Sequence, residues 1–221
     1  MSGLFIAFEG GEGAGKSTQA GLLDEALRQR GYYPVLVREP GSTPLGEHLR
    51  EYLVAGQPIT PPAELLLFEA ARAELMARRI APDLADGAVV IVDRFAGSTV
   101  AYQGHGRGLD LERIKWLNDF ATRGRYPDLT LLLDIDPAIG LNRVQSRQLS
   151  FGLLDADADR FEDADIAFHS AVRRGFQEQA AADPAGWQVI QGNHAIPDVA
   201  TAVWRSVSPL LAGRNLRRES V

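Results

Sequence analysis

The sequence predicts an α/β fold: a doubly wound sheet of five parallel strands with a P-loop, helices on both faces and a small lid. Three observations carry this reading. Five short apolar runs, at 4–8, 34–38, 88–93, 129–134 and 187–190, have the length and composition of strands buried on both faces. Longer stretches with helical spacing separate them. The first run also passes through Glu9 into the pattern G-x-x-x-x-G-K-S at Gly10 to Ser17, and a helical stretch follows at once.

The elements follow in order. Residues 16–30 carry Leu22, Leu23, Ala26 and Leu27 on one stripe, as a helix lying on a sheet requires. The run 34–38 is the second strand. Residues 62–84 open with proline and space Leu66, Phe68, Ala70, Leu75 and Met76 along a second long helix. The strand 88–93 comes next, then an apolar-faced helix at 111–122, the strand 129–134 and the strand 187–190. In such a sheet ligands sit beyond the carboxyl ends of the strands, so the chemistry is expected after Phe8, Arg38, Asp93 and Asp134. Residues 1–212 read as a single domain that includes a lid at about 143–165, acidic from 155 onward and read as a mobile insertion together with 143–154. Residues 213–221 read as a flexible tail.

Composition narrows the function. The chain has 221 residues, enough for one sizeable domain, and its 45% hydrophobic and 24% charged residues are those of a globular protein. It has no cysteine, which excludes disulfides, thiolate metal sites and a cysteine nucleophile and fits a reducing compartment. Met1-Ser2-Gly3 leads straight into the first strand without a basic leader, and no apolar run approaches the roughly 20 residues of a membrane helix. A cytoplasmic protein without membrane contact is expected. A net charge of −6 argues against nucleic acid as a partner, so any anion must be held by a local site.

That site is the loop Gly10, Gly11, Glu12, Gly13, Ala14, Gly15, Lys16, Ser17, followed by Thr18 at the start of the helix. Glycines turn backbone N–H groups toward a phosphate, and the helix N-terminus adds its positive end. Lys16 is placed for the β and γ phosphates of ATP, and Ser17 offers a hydroxyl to Mg²⁺. The bland alternative is a glycine-rich turn that merely starts a helix, but strand, spacing and lysine agree against it. Only Lys16 and Lys115 are lysines among 23 basic residues, so this one stands out. Neither follows an asparagine, so the Asn-Lys-x-Asp element of regulatory GTPases is missing. His48, His105, His169 and His194 form no evident metal or base cluster in the sequence.

Three further segments lie at strand ends or on the long helix. They are Arg38-Glu39-Pro40-Gly41-Ser42-Thr43 with Arg50 beyond it, Phe68 with Arg72, and Asp93-Arg94-Phe95 running on through Ser98, Thr99, Tyr102 and Gln103. Taken singly, each could be a solvated charge or a packed ring. Together with LFIAFEGGEGAGKST at 4–18, LLLFEAAR at 65–72, VDRFAGSTVAYQ at 92–103, GHGRG at 104–108 and PDLTLLLD at 127–134, they resemble the thymidylate kinase family. The resemblance covers 4 to about 147 and is looser in the lid, where 149–159 read as an insertion.

The resemblance implies an enzyme that phosphorylates dTMP with Mg²⁺ and ATP to give dTDP and ADP, and a homodimer. It also implies roles. Phe68 stacks on thymine, Arg72 donates to O4, and Thr99, with Ser98 and Gln103 nearby, reads the N3 edge. Arg50 and Arg94 hold the 5′-phosphate, Glu12 meets the sugar 3′-hydroxyl, and Tyr102 crowds the 2′ carbon. Asp93 joins Ser17 at the metal, directly or at one remove, and Glu39 helps through water. The family's usual Arg-Glu-Pro-Gly-Gly-Thr is Arg-Glu-Pro-Gly-Ser-Thr here, so Ser42 bears a modest cost if that position needs positive φ. Gly11, Glu12, Gly13 and Ala14 hold no cation, unlike the branch of the family with an arginine in this loop, so the resemblance implies the other branch, whose catalytic arginines lie in the lid. Arg147 and Arg160 in the lid are the candidates, with Arg143 placed to stack on adenine. A kinase for another nucleotide, or a non-catalytic nucleotide switch, remain the competing readings.

Overall fold

A computed structural model describes residues 3–54, 58–151 and 165–219. The chain runs β1 (Leu4–Glu9), α1 (Lys16–Arg28), β2 (Pro34–Arg38), α2 (Pro44–Val54), α3 (Pro61–Leu75), a π turn (Met76–Ile80) and α4 (Ala81–Ala85). It continues with β3 (Val89–Asp93), α5 (Ala96–Thr99), a second π segment (Val100–Gly106), α6 (Leu111–Thr122) and β4 (Leu129–Asp134). It closes with α7 (Pro137–Phe151), α8 (Ile166–Ala182), β5 (Trp187–Gln191) and α9 (Ile196–Leu211). The five strands pair in parallel in the order β2-β3-β1-β4-β5, which puts β1 in the middle.

Every residue of β1 is buried, and its alternation sorts the two faces. Leu4, Ile6 and Phe8 pack with Leu23 and Leu27 of α1 and with Val199, Val203 and Val207 of α9. Phe5 and Ala7 pack on the other face with Leu75, Met76, Ile80 and Leu84. Placing helices on both faces is what makes the near-continuous apolar strands soluble. β5, read as a buried strand, is instead a mostly exposed edge, with only Ile190 fully buried.

Residues 62–84, expected as one helix, are interrupted by the π turn. Pro82 has no N–H and its ring crowds the carbonyl four residues back, at Arg78. The chain widens just before it, and the Ala81 N–H reaches back to Met76 O. The segment after Arg94, which had no assigned element, is helical from Ala96 to Gly106. Of the expected lid, 143–151 belong to α7 rather than to a loose insertion, and 152–164 lie outside the described residues. Asp165 begins α8 by accepting a hydrogen bond from Phe168 N.

The end of the chain does not fray through Glu219. Leu216 is buried in the α1/α9 core. Arg217 N donates to Gly87 O, Arg217 O accepts from Tyr33 N, and Glu219 N donates to Gly31 O. The sequence of 213–219 looks polar because it docks through backbone hydrogen bonds, one buried leucine and arginines that reach Gly3 O, Asp128, Asp86 and the rings of Tyr32 and Tyr33, none of which periodicity detects.

Candidate active site

The loop after β1 is shaped by its glycines, of which Gly13 is the most constrained. It sits at φ 65°, and a Cβ there would run into the Gly140 carbonyl at the start of α7. Lys16 folds back over the loop, its Nζ donating to Gly11 O at 2.8 Å. Burial, then the nearby Arg94, pulls the Lys16 ammonium down to about 8, against the opposing pull of Glu12, Asp93 and Glu9. Ser17 Oγ donates to Asp93 Oδ2 at the end of β3. The other carboxylate oxygen, Asp93 Oδ1, is buried without a hydrogen-bond partner. A hydroxyl and a carboxylate oxygen lacking a donor are the oxygen ligands a hard divalent cation takes, so this pair fits Mg²⁺.

Beside the loop opens a cavity of about 570 Å³. It gathers Glu12, Gly13, Gly15, Lys16, Ser17 and Thr18 from the loop side, Arg50 from α2, and Phe68 and Arg72 from α3. Asp93 at the end of β3 and Arg94, Ser98, Thr99, Tyr102 and Gln103 after it form another wall, and Leu36 to Pro40 with Ser42 a further one. Gly10, Gly11 and Ala14 do not line it. Arg143 lies outside it, on the far side of the loop, where Nη1 donates to Gly192 O at 2.8 Å and to Gly13 O at 3.4 Å. The Arg147 side chain and all of Arg160 lie outside the described residues.

The centre of the cavity is a compact charge cluster. Arg94, in the left-handed region at φ 68°, turns Nη2 to Glu12 Oε1 at 2.7 Å and Nη1 to Tyr102 Oη at 3.1 Å. Tyr102 Oη donates to the same Glu12 oxygen at 2.6 Å. Burial alone would raise the Glu12 carboxyl, but Arg94 and then Lys16 outweigh it and hold it at about 2. The Tyr102 ring is fixed by edge contacts with Phe168 and Phe176 of α8. Its phenol is pushed well up by burial, with Glu12 adding to the rise, so it stays a neutral donor.

Ser42 does take positive φ, at 60°. Its side chain accounts for its tolerance: Oγ accepts from Arg38 N at 2.9 Å, while Ser42 N donates to Glu47 Oε1 at 2.7 Å. Both bonds tie the loop to itself and to α2. Arg50, which projects from that helix, makes one hydrogen bond among the described residues, a weak one to Pro40 O at 3.5 Å.

Arg72 is 1% exposed and differs most from expectation. All five of its N–H groups are engaged inside the protein. Nε and Nη2 grip the Glu39 carboxylate, Nη1 donates to Glu69 Oε1 at 2.7 Å and Asn118 Oδ1 at 2.6 Å, and Nη2 also reaches Thr99 Oγ1 at 2.8 Å. Donation to a base carbonyl would therefore be in exchange for one of these bonds. Glu39, expected to help through water, lines the cavity and is a buried partner of Arg72. Burial raises the carboxyls of Glu39 and Glu69, and Arg72 only partly offsets it. Thr99, having accepted from Arg72, keeps its own hydroxyl proton to donate. Gln103 Nε2 donates to Glu64 Oε1 at 2.8 Å.

Glu9, Glu64, Glu69 and Asn118 were not singled out from the sequence. The signal for Glu9 was a carboxylate ending an apolar strand. Glu64 and Glu69 stand among leucines on the buried side of α3, where a charge needs a partner.

Comparison with known proteins finds relatives along nearly the whole chain. The thymidylate kinase family profile matches residues 8–203. The thymidylate kinase of Synechococcus sp. (strain JA-2-3B'a(2-13)) is 49% identical over 216 residues, covering 98% of this chain and 100% of that one. That of Thermomicrobium roseum is 44% identical over 207 residues, covering 94% and 95%. The crystal structure of thymidylate kinase from Ehrlichia chaffeensis is similar with a TM-score of 0.75 and 34% identity, covering 94% of this chain and 99% of that chain.

The Arg72 cluster yields a prediction. Removing the guanidinium leaves two buried carboxylates without counter-charge, so Arg72→Ala should cost about 3–5 kcal/mol of stability. Urea unfolding of the variant beside Arg72→Ala/Glu39→Gln checks this, and the second change should recover part of the loss.

Proposed function

The chain belongs to the thymidylate kinase family, and on that premise we propose how its residues divide the work. The reaction moves the γ-phosphoryl group of ATP to dTMP, giving ADP and dTDP for dTTP synthesis, so the chain is a nucleoside monophosphate kinase. The observation that carries the assignment of roles is the cavity in which the loop lysine, Arg50, Arg72, Arg94 and a stackable phenylalanine converge.

ATP lies with its phosphates on the loop. Backbone N–H groups and the α1 N-terminus hold the β-phosphate, and Lys16 leaves Gly11 O for the β and γ oxygens. Its position beside the nucleotide loop supports Arg143 as the planar cation over adenine. Mg²⁺, held by Ser17 and Asp93, would supply further positive charge against the phosphates.

dTMP enters from the α3 side. Phe68 stacks on thymine, a contact worth about 1–3 kcal/mol per base in nucleic-acid complexes. Thr99 meets the N3 edge of the base with Ser98 and Gln103 beside it, and Arg72 stands behind Thr99 and faces O4. The Arg50 guanidinium, lightly held, and Arg94 take the 5′-phosphate. Glu12 accepts from the sugar 3′-hydroxyl while its other bonds keep Arg94 and Tyr102 in place. Tyr102, locked by that carboxylate, fills the space a ribose 2′-hydroxyl would need. No covalent enzyme intermediate arises: two anions are aligned and their charge is offset. Arg147 and Arg160 supply the remaining charge on the moving phosphoryl group.

Two copies form the working enzyme. Trp116 and Phe120 of α6 are 65% and 72% exposed and stack with ring centroids 5.8 Å apart, and Leu66 of the neighbouring α3 is 55% exposed. Such a patch is more apolar than a monomer normally leaves in water. We place the enzyme in the cytoplasm, supported by the lack of cysteine and of any described helix long and apolar enough to cross a membrane.

Three measurements test this reading. With Mg²⁺ and ATP, ADP release should require an acceptor, with dTMP preferred over dUMP, dCMP, AMP and GMP, and Lys16→Ala should nearly abolish it with the fold intact by circular dichroism. Slow ATP hydrolysis indifferent to dTMP would mean a nucleotide switch instead. Arg147→Ala/Arg160→Ala should lower kcat by about 10³-fold or more while dTMP affinity holds, since arginines of this kind act on the transition state; kcat within a few-fold of wild type removes them from the reaction. Trp116→Glu/Phe120→Glu should sediment as a monomer where the parent chain sediments as a dimer.

A further inference from the structure

Glu9 is 1% exposed at the last position of β1, immediately before the phosphate loop, and does not line the substrate cavity. Among the described residues, the hydrogen bonds of its carboxylate nonetheless all go to the acceptor side. Oε1 accepts from Phe95 N and from Ser98 N, each at 3.0 Å, and Oε2 accepts from Ser98 Oγ at 2.6 Å. Phe95 stands at the N-terminal end of the helical segment that carries Ser98, Thr99, Tyr102 and Gln103, and its own side chain supplies no cap. Glu9 supplies that cap from the neighbouring strand.

The same contact governs Arg94. Consecutive residues of β1 hold consecutive amides: Phe8 O accepts from Arg94 N at 3.0 Å, and Glu9 accepts from Phe95 N. Arg94 is thereby kept at φ 68°, unfavourable for a side chain with a Cβ, and its guanidinium is directed back onto Gly10 O and Glu12. The fit is close. A Cβ at Gly97 would come within 2.9 Å of Glu9 Oε1 and 2.8 Å of the Trp187 ring, so the helical turn is pressed directly onto the carboxylate.

We infer that Glu9 is a positioning residue for the acceptor half of the site, setting Arg94, Ser98 and Thr99 against the phosphate loop without touching either substrate. This deepens the reading of the acceptor pocket given above and rests on it. Since Glu9 acts through accepted hydrogen bonds, a glutamine can replace it: its Oε1 still accepts both amides and its Nε2 donates to Ser98 Oγ.

The experiment compares Glu9→Ala, Glu9→Asp and Glu9→Gln with the parent chain, using whichever nucleoside monophosphate the parent phosphorylates best. A preference for one other than dTMP would sink the dTMP assignment while leaving Glu9 to be judged on that acceptor. Glu9→Ala should lower kcat/KM for the acceptor by about 10²-fold, the scale of a small misplacement, with the ATP KM within about threefold. Glu9→Gln should keep the acceptor kcat/KM within about threefold of the parent. Should Glu9→Ala fail to fold, Glu9→Asp decides, since it draws the carboxylate back by one methylene and should show the same acceptor-selective loss. The inference is overturned by a folded alanine or aspartate variant with parental acceptor kinetics, by equal losses on both nucleotides, or by a glutamine variant as impaired as alanine.

Discussion

Two phosphate chains repel each other, so a pocket that brings them together must be cationic before either arrives. Buried cations without counter-charge are strongly disfavoured. The site answers both demands at Arg94, Lys16 and Arg72 by setting each beside a carboxylate that the chain already needs. Glu12 stands between Arg94 and Lys16 and takes the strain off both, and Glu39 and Glu69 share Arg72. On a chain of net charge −6 the positive field is therefore local and made before the substrates bind. A phosphate oxygen brought beside Arg94 or Lys16 would find donors already partly dry, which is where electrostatic stabilisation is most effective.

That pairing also shapes the backbone. Arg94 and Ser42 both occupy the left-handed region, at φ 68° and 60°, where a side chain is normally disfavoured. Each is surrounded by bonds that hold it there, from β1 in one case and from Glu47 in the other. Backbone strain of this kind persists where neighbouring contacts over-determine it, and both positions open loops that face the cavity.

Much of this was legible in the residues. The strands were found because a sheet covered on both faces demands apolar runs, and the loop because glycine, lysine and serine at fixed spacing have few other uses. The cavity residues were readable only through family resemblance: Phe68, Arg72 and Thr99 are distant in sequence, and no period links them. What escaped was set by partners rather than by pattern. A buried Glu69 looks like any helical glutamate until Arg72 is seen against it, and the break in the long helix follows from Pro82, whose effect falls several residues earlier. β5 reads as apolar yet lies at an open edge, because hydrophobicity alone does not tell how many neighbours a strand has.

The docked end of the chain fixes an orientation. Residues 217 and 219 bond to Tyr33, Gly87 and Gly31, all of which precede their strands, whereas the cavity gathers where the parallel strands finish. Residues 217–219 thus lie on the side of the sheet remote from the cavity. A surface or reporter coupled there would leave the mouth of the cavity facing outward, and the molecule could be tethered for single-turnover or force measurements without obstructing substrate entry.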